Sequence, residues 1–143
     1  MNYWLLKSEP STWSWHQQCQ VTSEPWTGVR NYQARNFLKA MRLGDLAFFY
    51  HSVTDKKIMG IVEVVKEFYP DPTDEKLQFV CVDVKATASL KVPLSLAQIK
   101  EDPRLESLPL IRQSRLSVMP LSKKEWDILC KLGKTEINES DHI

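Results

Sequence analysis

The 143-residue sequence has only three cysteines, Cys19, Cys81 and Cys130, which lie far apart and show no CxxC spacing. Scattered thiols in odd number read as buried free cysteines, since a metal site needs closer or more numerous ligands. His16, His51 and His142 add no HxH or HExxH pattern, so neither a structural metal nor a cofactor is expected. No apolar run approaches the length of a membrane span, and the N-terminus lacks the basic-then-apolar layout of a signal peptide. The chain is therefore expected to be soluble, away from membranes, and cytoplasmic (nuclear in a eukaryote). A basic excess is missing too: the formal net charge is +1. Non-specific DNA binders draw most of their affinity from phosphate neutralisation, so any nucleic acid would need a local patch and a specific pocket. Enzyme motifs are equally scarce, with no Walker-type loop, GxGxxG or GxSxG. His51, Ser52 and Asp55 are close in sequence, but one short loop rarely assembles a catalytic trio. The expectation is a protein that is not an enzyme.

What is present fits one domain with a sizeable core. Tyr3–Lys7 reads as a first strand, broken by Ser8-Glu9-Pro10-Ser11 because proline cannot donate to a ladder. Thr12–Gln18 reads as a short helix with Trp13 and Trp15 partly buried. Asn31–Met41 is the clearest helix: Asn31 suits the N-cap, and Ala34, Phe37, Leu38 and Met41 recur on one face. Gly44 is placed to stop it. Asp45–His51 is apolar at both parities, as in a strand buried on both faces. Ile58–Tyr69 and Leu77–Val92 read as long strands around the turn Tyr69–Asp74. Ser95 with Gln98, and Ser122 with Glu125, have capping-box spacing before short helices. Arg115–Pro120 reads as a short strand with Leu116, Val118 and Pro120 on one face. Residues 134–143 are polar and aperiodic, the expectation being a disordered tail. The fold class is α+β (mixed): a curved sheet or barrel with short helices packed on it.

The run Trp26-Thr27-Gly28-Val29-Arg30-Asn31-Tyr32-Gln33-Ala34-Arg35 joins an aromatic, a glycine, a cap and two arginines where loop turns into helix. Trp26 is either a core tryptophan or a stacking platform for a base. Asn31 caps the helix, and its amide also suits reading a base edge. Lys7 and Ser8 end the first strand as His51 and Ser52 end the buried one, and strand ends are where barrels place their mouths. Tyr50 and Tyr69 could line the same mouth. Arg35, Lys39 and Arg42 share a helix flank with no acid among them, an ordinary solvated face or, with Arg30, Arg112 and Arg115, a phosphate-facing patch.

Tyr3-Trp4-Leu5-Leu6-Lys7-Ser8-Glu9-Pro10 resembles the opening motif of the EVE domain family. Trp26-x-Gly28-Val29-Arg30-Asn31-Tyr32-Gln33-Ala34-Arg35-Asn36 resembles its central motif. Gly44-Asp45, Phe48–Ser52, Tyr69–Thr73 and Arg112–Val118 continue the pattern in order, so the resemblance covers nearly the whole of a 1–133 domain. It implies a PUA-like bent β-barrel related to the YTH readers of methylated RNA. It also implies binding of a modified base, 5-methylcytosine or an oxidised form in DNA, turned out of the helix into a pocket. On that likeness Trp26 is an aromatic wall and Lys7, Ser8, Asn31 and Ser52 are polar readers. Val29, Tyr50, His51 and Tyr69 complete the candidate ligand site. Arg30, Arg35, Lys39, Arg112 and Arg115 are the candidates for nucleic-acid backbone contact. The expected protein is a monomer whose partner is nucleic acid carrying a modified base, DNA before RNA. The alternatives are a reader of modified RNA and an enzyme on a nucleotide using His51 or Lys7 as acid or base. Thr12–Ser23 matches none of these motifs.

Overall fold

The computed structural model describes residues 1–135. Six strands form one mixed sheet: β1 (Tyr3–Ser8), β2 (Glu24–Pro25), β3 (Leu46–His51), β4 (Lys57–Pro70), β5 (Val80–Ser95) and β6 (Val118–Leu121), in the order β2-β5-β4-β3-β1-β6. Five helices accompany it: α1 (Trp15–Cys19), α2 (Tyr32–Ala40), α3 (Leu96–Glu101), α4 (Pro109–Arg112) and α5 (Lys123–Leu132), with a 3-10 turn at Pro103–Leu105. The mixed α+β class follows directly. Among these helices none is long and apolar enough to cross a membrane.

β3 is buried along its whole length, as its two-parity apolar pattern requires. It pairs parallel with β1 and antiparallel with β4. A parallel neighbour cannot be joined by a tight turn, and the chain from β1 to β3 spends its crossover on α1, β2 and α2. Register shifts recur along β4 and β5, at Ile58/Gly60, Ile61/Val62, Val64/Lys66 and Lys66/Tyr69. Each adds local bend and twist, so this long hairpin curls rather than lying flat. At the far side β6 pairs with β1 and places Pro120 opposite Trp4. The sheet order makes β6 an end strand, where a residue without an N–H is tolerated.

Several boundaries moved for local reasons. Ser14 caps α1 in a capping box with Gln17, so that helix starts at Trp15 rather than Thr12. β5 starts at Val80 because the Asp74 carboxylate accepts from the N–H groups of Lys76, Gln78 and Phe79, holding Leu77 at φ +55° in a loop. β6 begins only at Val118, and its buried residues are Val118, Met119 and Leu121 while Pro120 is exposed. Gly44 (φ +87°) serves the turn into β3; α2 has already ended, with Met41 extended. Behind that turn the buried Asp45 carboxylate accepts from Trp4 Nε1 (3.0 Å), Asn2 N (3.1 Å) and Arg42 N (3.0 Å). Of the cysteines, Cys81 is buried, Cys130 half-buried and Cys19 exposed, so the expectation of three buried thiols fails at Cys19. Thr135 N–H bonds Cys130 O at 2.9 Å, closing the chain onto α5. The rest of the tail expected at 134–143 lies outside the described residues.

Candidate functional site

Parallel pairing of β1 with β3 aligns Lys7 with Tyr50 and Ser8 with His51, so both strands end at the same edge. Backbone bonds from Ser52 N to Ser8 O and from Lys7 N to Ser117 O, each 2.9 Å, tie that edge together. Two clefts open there, sharing Lys7, Glu9 and Ser117 as a common wall. The first, about 410 Å³, runs from Lys7 and Ser8 past Thr12 and Trp13 to the Glu24–Arg30 segment.

Trp26 forms one side of this first cleft. Its N–H bonds Val82 O (2.7 Å), and its ring meets Phe49 edge-on at 5.4 Å, leaving it only 7% exposed. The indole N–H has no hydrogen-bond partner among the described residues, yet no fully buried side-chain polar atom there lacks one. That N–H is therefore open to solvent or to a ligand. Gly28 follows at φ +86°, a conformation L side chains avoid, and its N–H bonds Asp71 Oδ2 at 2.8 Å. Arg30 reaches the same carboxylate at 3.1 Å and Thr73 Oγ1 at 2.8 Å. Burial would push the Asp71 carboxyl up. The hydrogen bonds from Thr73, Gly28 and Arg30 outweigh it and hold the group below its ordinary value.

Trp13, from the Thr12–Ser23 segment that matches no motif, is a further wall of this cleft. Its Nε1–H bonds Gln18 Oε1 (2.8 Å), and the buried Gln18 in turn donates to Val84 O (3.3 Å), so a polar chain anchors the ring to β5. Ser8 Oγ donates to Trp13 O at 2.5 Å, which leaves the hydroxyl only its acceptor capacity for a ligand. Lys7 Nζ donates to Ser114 O (2.9 Å), and burial lowers its pKa. Glu24 is raised, by burial first and by neighbouring Asp83 second. Among the lining side chains Lys7 and Arg30 are matched in number by Glu9 and Glu24, and Arg30 is already paired with Asp71, so the cleft carries no positive excess and suits a polar but uncharged ligand edge.

The second cleft, about 500 Å³, is lined by Tyr50, Ser52, Lys56 and Arg115 on the other side of Lys7. The structure therefore divides the expected ligand set. Lys7, Ser8, Trp26 and Val29 meet in the first cleft; Tyr50 and Ser52 meet in the second.

Three candidates line neither. Asn31 is exposed, and its Oδ1 caps α2 by accepting from Ala34 N at 2.9 Å. His51 is buried at 6% exposure with both ring nitrogens engaged, by Trp15 N (2.9 Å) and Asp55 Oδ2 (2.8 Å). Tyr69 donates to Asp83 Oδ1 at 2.5 Å, under the ammonium of Lys66. Strand-end position in sequence does not reveal which way a side chain turns: His51 turns into the protein, and the half-buried Tyr69 turns to Asp83 on β5.

The basic candidates also separate. Arg30 lines the first cleft and Arg115 the second. Arg35 lies over the Tyr32 ring and bonds Gln78 O (3.1 Å), and Lys39 sits over Phe68, both on the exposed side of α2. Arg112 Nε donates to Glu106 O (2.8 Å) and lines neither cleft. Among the described residues no three His, Cys, Asp or Glu side chains gather as a metal set.

A mixed sheet whose parallel strand ends open into two clefts, the first of them lined by tryptophans, defines a small domain of the α+β class with a candidate recognition site at that edge. The chain belongs to the EVE domain family, whose model matches residues 2–132. It is 36% identical to mouse thymocyte nuclear protein 1 over 170 residues, covering 94% of this chain and 75% of that protein. A solution structure of a Rhodopseudomonas palustris protein superposes with a TM-score of 0.90 at 50% identity, over 97% of both chains. A crystal structure of human THYN1 protein in complex with 5-methylcytosine-containing DNA superposes with a TM-score of 0.87 at 33% identity, covering 96% of this chain and all of that one.

Proposed function

We propose that this chain is a non-catalytic module that binds nucleic acid through a modified base, 5-methylcytosine or an oxidised derivative in DNA. The observation that carries the reading is the first cleft, with Trp13 and Trp26 both lining it beside the half-buried Lys7. Likeness to the human protein crystallised with 5-methylcytosine-containing DNA supports the choice of ligand. Aromatic rings favour a base, with each stacking contact contributing about 1–3 kcal/mol. Glu24 suits the exocyclic amine of cytosine, for which a carboxylate acceptor is the fitting partner. Near-balance of charge in the cleft fits a neutral base better than a phosphate. The curled sheet is taken as the PUA-like bent barrel, and the domain as a monomer of the cytoplasm or, in a eukaryote, the nucleus.

The alternative of an enzyme using His51 or Lys7 has less support: both His51 nitrogens are committed and its ring is buried outside either cleft, which leaves Lys7, bonded to Ser114 O, as its one cleft-lining acid or base. The test is a titration of matched duplexes with and without 5-methylcytosine, using wild type, Trp13→Ala and Trp26→Phe. Trp13→Ala is expected to weaken the methylated duplex by about 1–3 kcal/mol. Equal affinity of wild type for both duplexes, or no effect of either variant, sinks the reading. Tighter binding of matched methylated RNA at equal salt would make RNA the partner.

A further inference from the structure

The second cleft is chemically unlike the first. Tyr50 is 3% exposed, yet its hydroxyl has no hydrogen-bond partner among the described residues. Since no fully buried side-chain polar atom there lacks a partner, that hydroxyl must open into the cleft it lines. Burial raises its pKa to about 12, so it remains a donor at neutral pH. Ser52 Oγ, the Lys56 ammonium and the Arg115 guanidinium line the same space, and none of them has a hydrogen bond or ion pair among the described residues. Lys7 Nζ, on the shared wall, spends one of its three donors on Ser114 O. The acid of this cleft is the exposed Glu9, against the three cations Lys7, Lys56 and Arg115.

The loop behind these groups is also strained. Val53 (φ +67°) and Lys56 (φ +51°) both hold the left-handed region, which is costly for a β-branched residue. Such strain persists where the surrounding structure over-determines it and gathers at ligand clamps. Here it presents Ser52 and Lys56 to one cavity.

We propose that the second cleft is a phosphate site, in which Tyr50, Ser52, Lys56 and Arg115 hold a phosphate of the nucleotide strand whose base enters the first cleft. Unspent donors with a net positive charge match an anion bearing several acceptor oxygens. The shared Lys7 wall puts that anion beside the base cleft, where the sugar-phosphate chain of a turned-out nucleotide has to run. This extends the base-binding reading and rests on it for the identity of the strand.

The experiment separates the two. Arg115→Gln and Tyr50→Phe are compared with Trp26→Phe in titrations of methylated and unmethylated oligonucleotides across a salt series. Arg115→Gln is expected to weaken both oligonucleotides by the same factor, roughly tenfold. It should also lower the slope of log affinity against log salt by about 0.7–0.9. Tyr50→Phe should weaken both roughly two- to tenfold. Trp26→Phe should reduce only the preference for the methylated strand. In parallel, inorganic phosphate is titrated into labelled wild-type protein, and amide shifts are expected across Ser52–Lys57. A free phosphate that shifts those amides, with no oligonucleotide effect of either variant, would assign the cleft to small phosphates and overturn the strand assignment. No shift with phosphate and no loss on Arg115→Gln would overturn the site. Arg115→Gln acting while Trp26→Phe does nothing would keep the phosphate site and remove the base reading instead.

Discussion

His51 Nε2 accepts the backbone N–H of Trp15 at 2.9 Å, while Nδ1 faces Asp55 Oδ2 at 2.8 Å. An accepting Nε2 requires the neutral ring with its proton on Nδ1, the tautomer that Asp55 favours. A histidine that looks catalytic from its neighbours Ser52 and Asp55 is thus a bracket holding the start of α1 to the end of β3. His51→Ala leaves the Trp15 N–H stranded and is expected to lower stability by about 1–3 kcal/mol. Denaturant unfolding measures that loss. If folded His51→Ala protein lost modified-base binding altogether, the structural role would be too small an account.

Gly60 owes its identity to Trp15. A Cβ built there would lie 2.1 Å from Trp15 Cζ2. The ring is not free to retreat, since its Nε1 bonds Ser89 Oγ (3.0 Å) and it packs at an angle against Phe49, centroids 5.2 Å apart. Gly60→Ala is expected to destabilise by about 1–3 kcal/mol, the usual cost of overpacking. A melting temperature equal to wild type would show that Trp15 has room the geometry denies it.

Asp71 provides the pH-dependent contribution. Its folded pKa lies below the ordinary value of 3.8, so its stabilisation is complete above that value. It is lost as pH falls through the lowered folded pKa, because the protonated acid can no longer serve Arg30, Gly28 and Thr73 as a carboxylate. Asp71→Asn should cost on the order of 1–3 kcal/mol at neutral pH. The gap between variant and wild type should then shrink below pH 4. A gap that stays constant down to pH 2 would rule Asp71 out as its source.

Trp26 is both wall and core, so the choice of variant matters. At 7% exposure and edge-on to Phe49, truncation to alanine opens a cavity and is expected to cost about 3–5 kcal/mol. A domain of this size has only about 5–15 kcal/mol in total. Trp26→Phe should retain most of that stability, and thermal unfolding of the two variants side by side checks the difference. Trp13 is only partly buried, so its truncation is expected to be milder.

Elements with a local cause are written in the chain itself. The Asn31 cap and apolar stripe produce α2, the two-parity apolar run produces the buried β3, and Ser95–Gln98 and Ser122–Glu125 produce capping boxes. The long β4–β5 hairpin was legible to within a few residues, and the family motifs were legible as ordered words. The Trp26–Arg30 run keeps its place at the first cleft for the same reason: the motif is contiguous, so its members arrive together. Which side chains share a space was settled by long-range packing. It brought Trp13, from the segment without a motif, into the same cleft as Trp26 through Gln18 and Val84, a connection between residues 66 apart. It turned His51 inward and set Tyr50 and Ser52 on the far side of Lys7. Such outcomes depend on the β1–β3 register and on where each buried donor finds its acceptor. Those long-range pairings have no local signature in the chain.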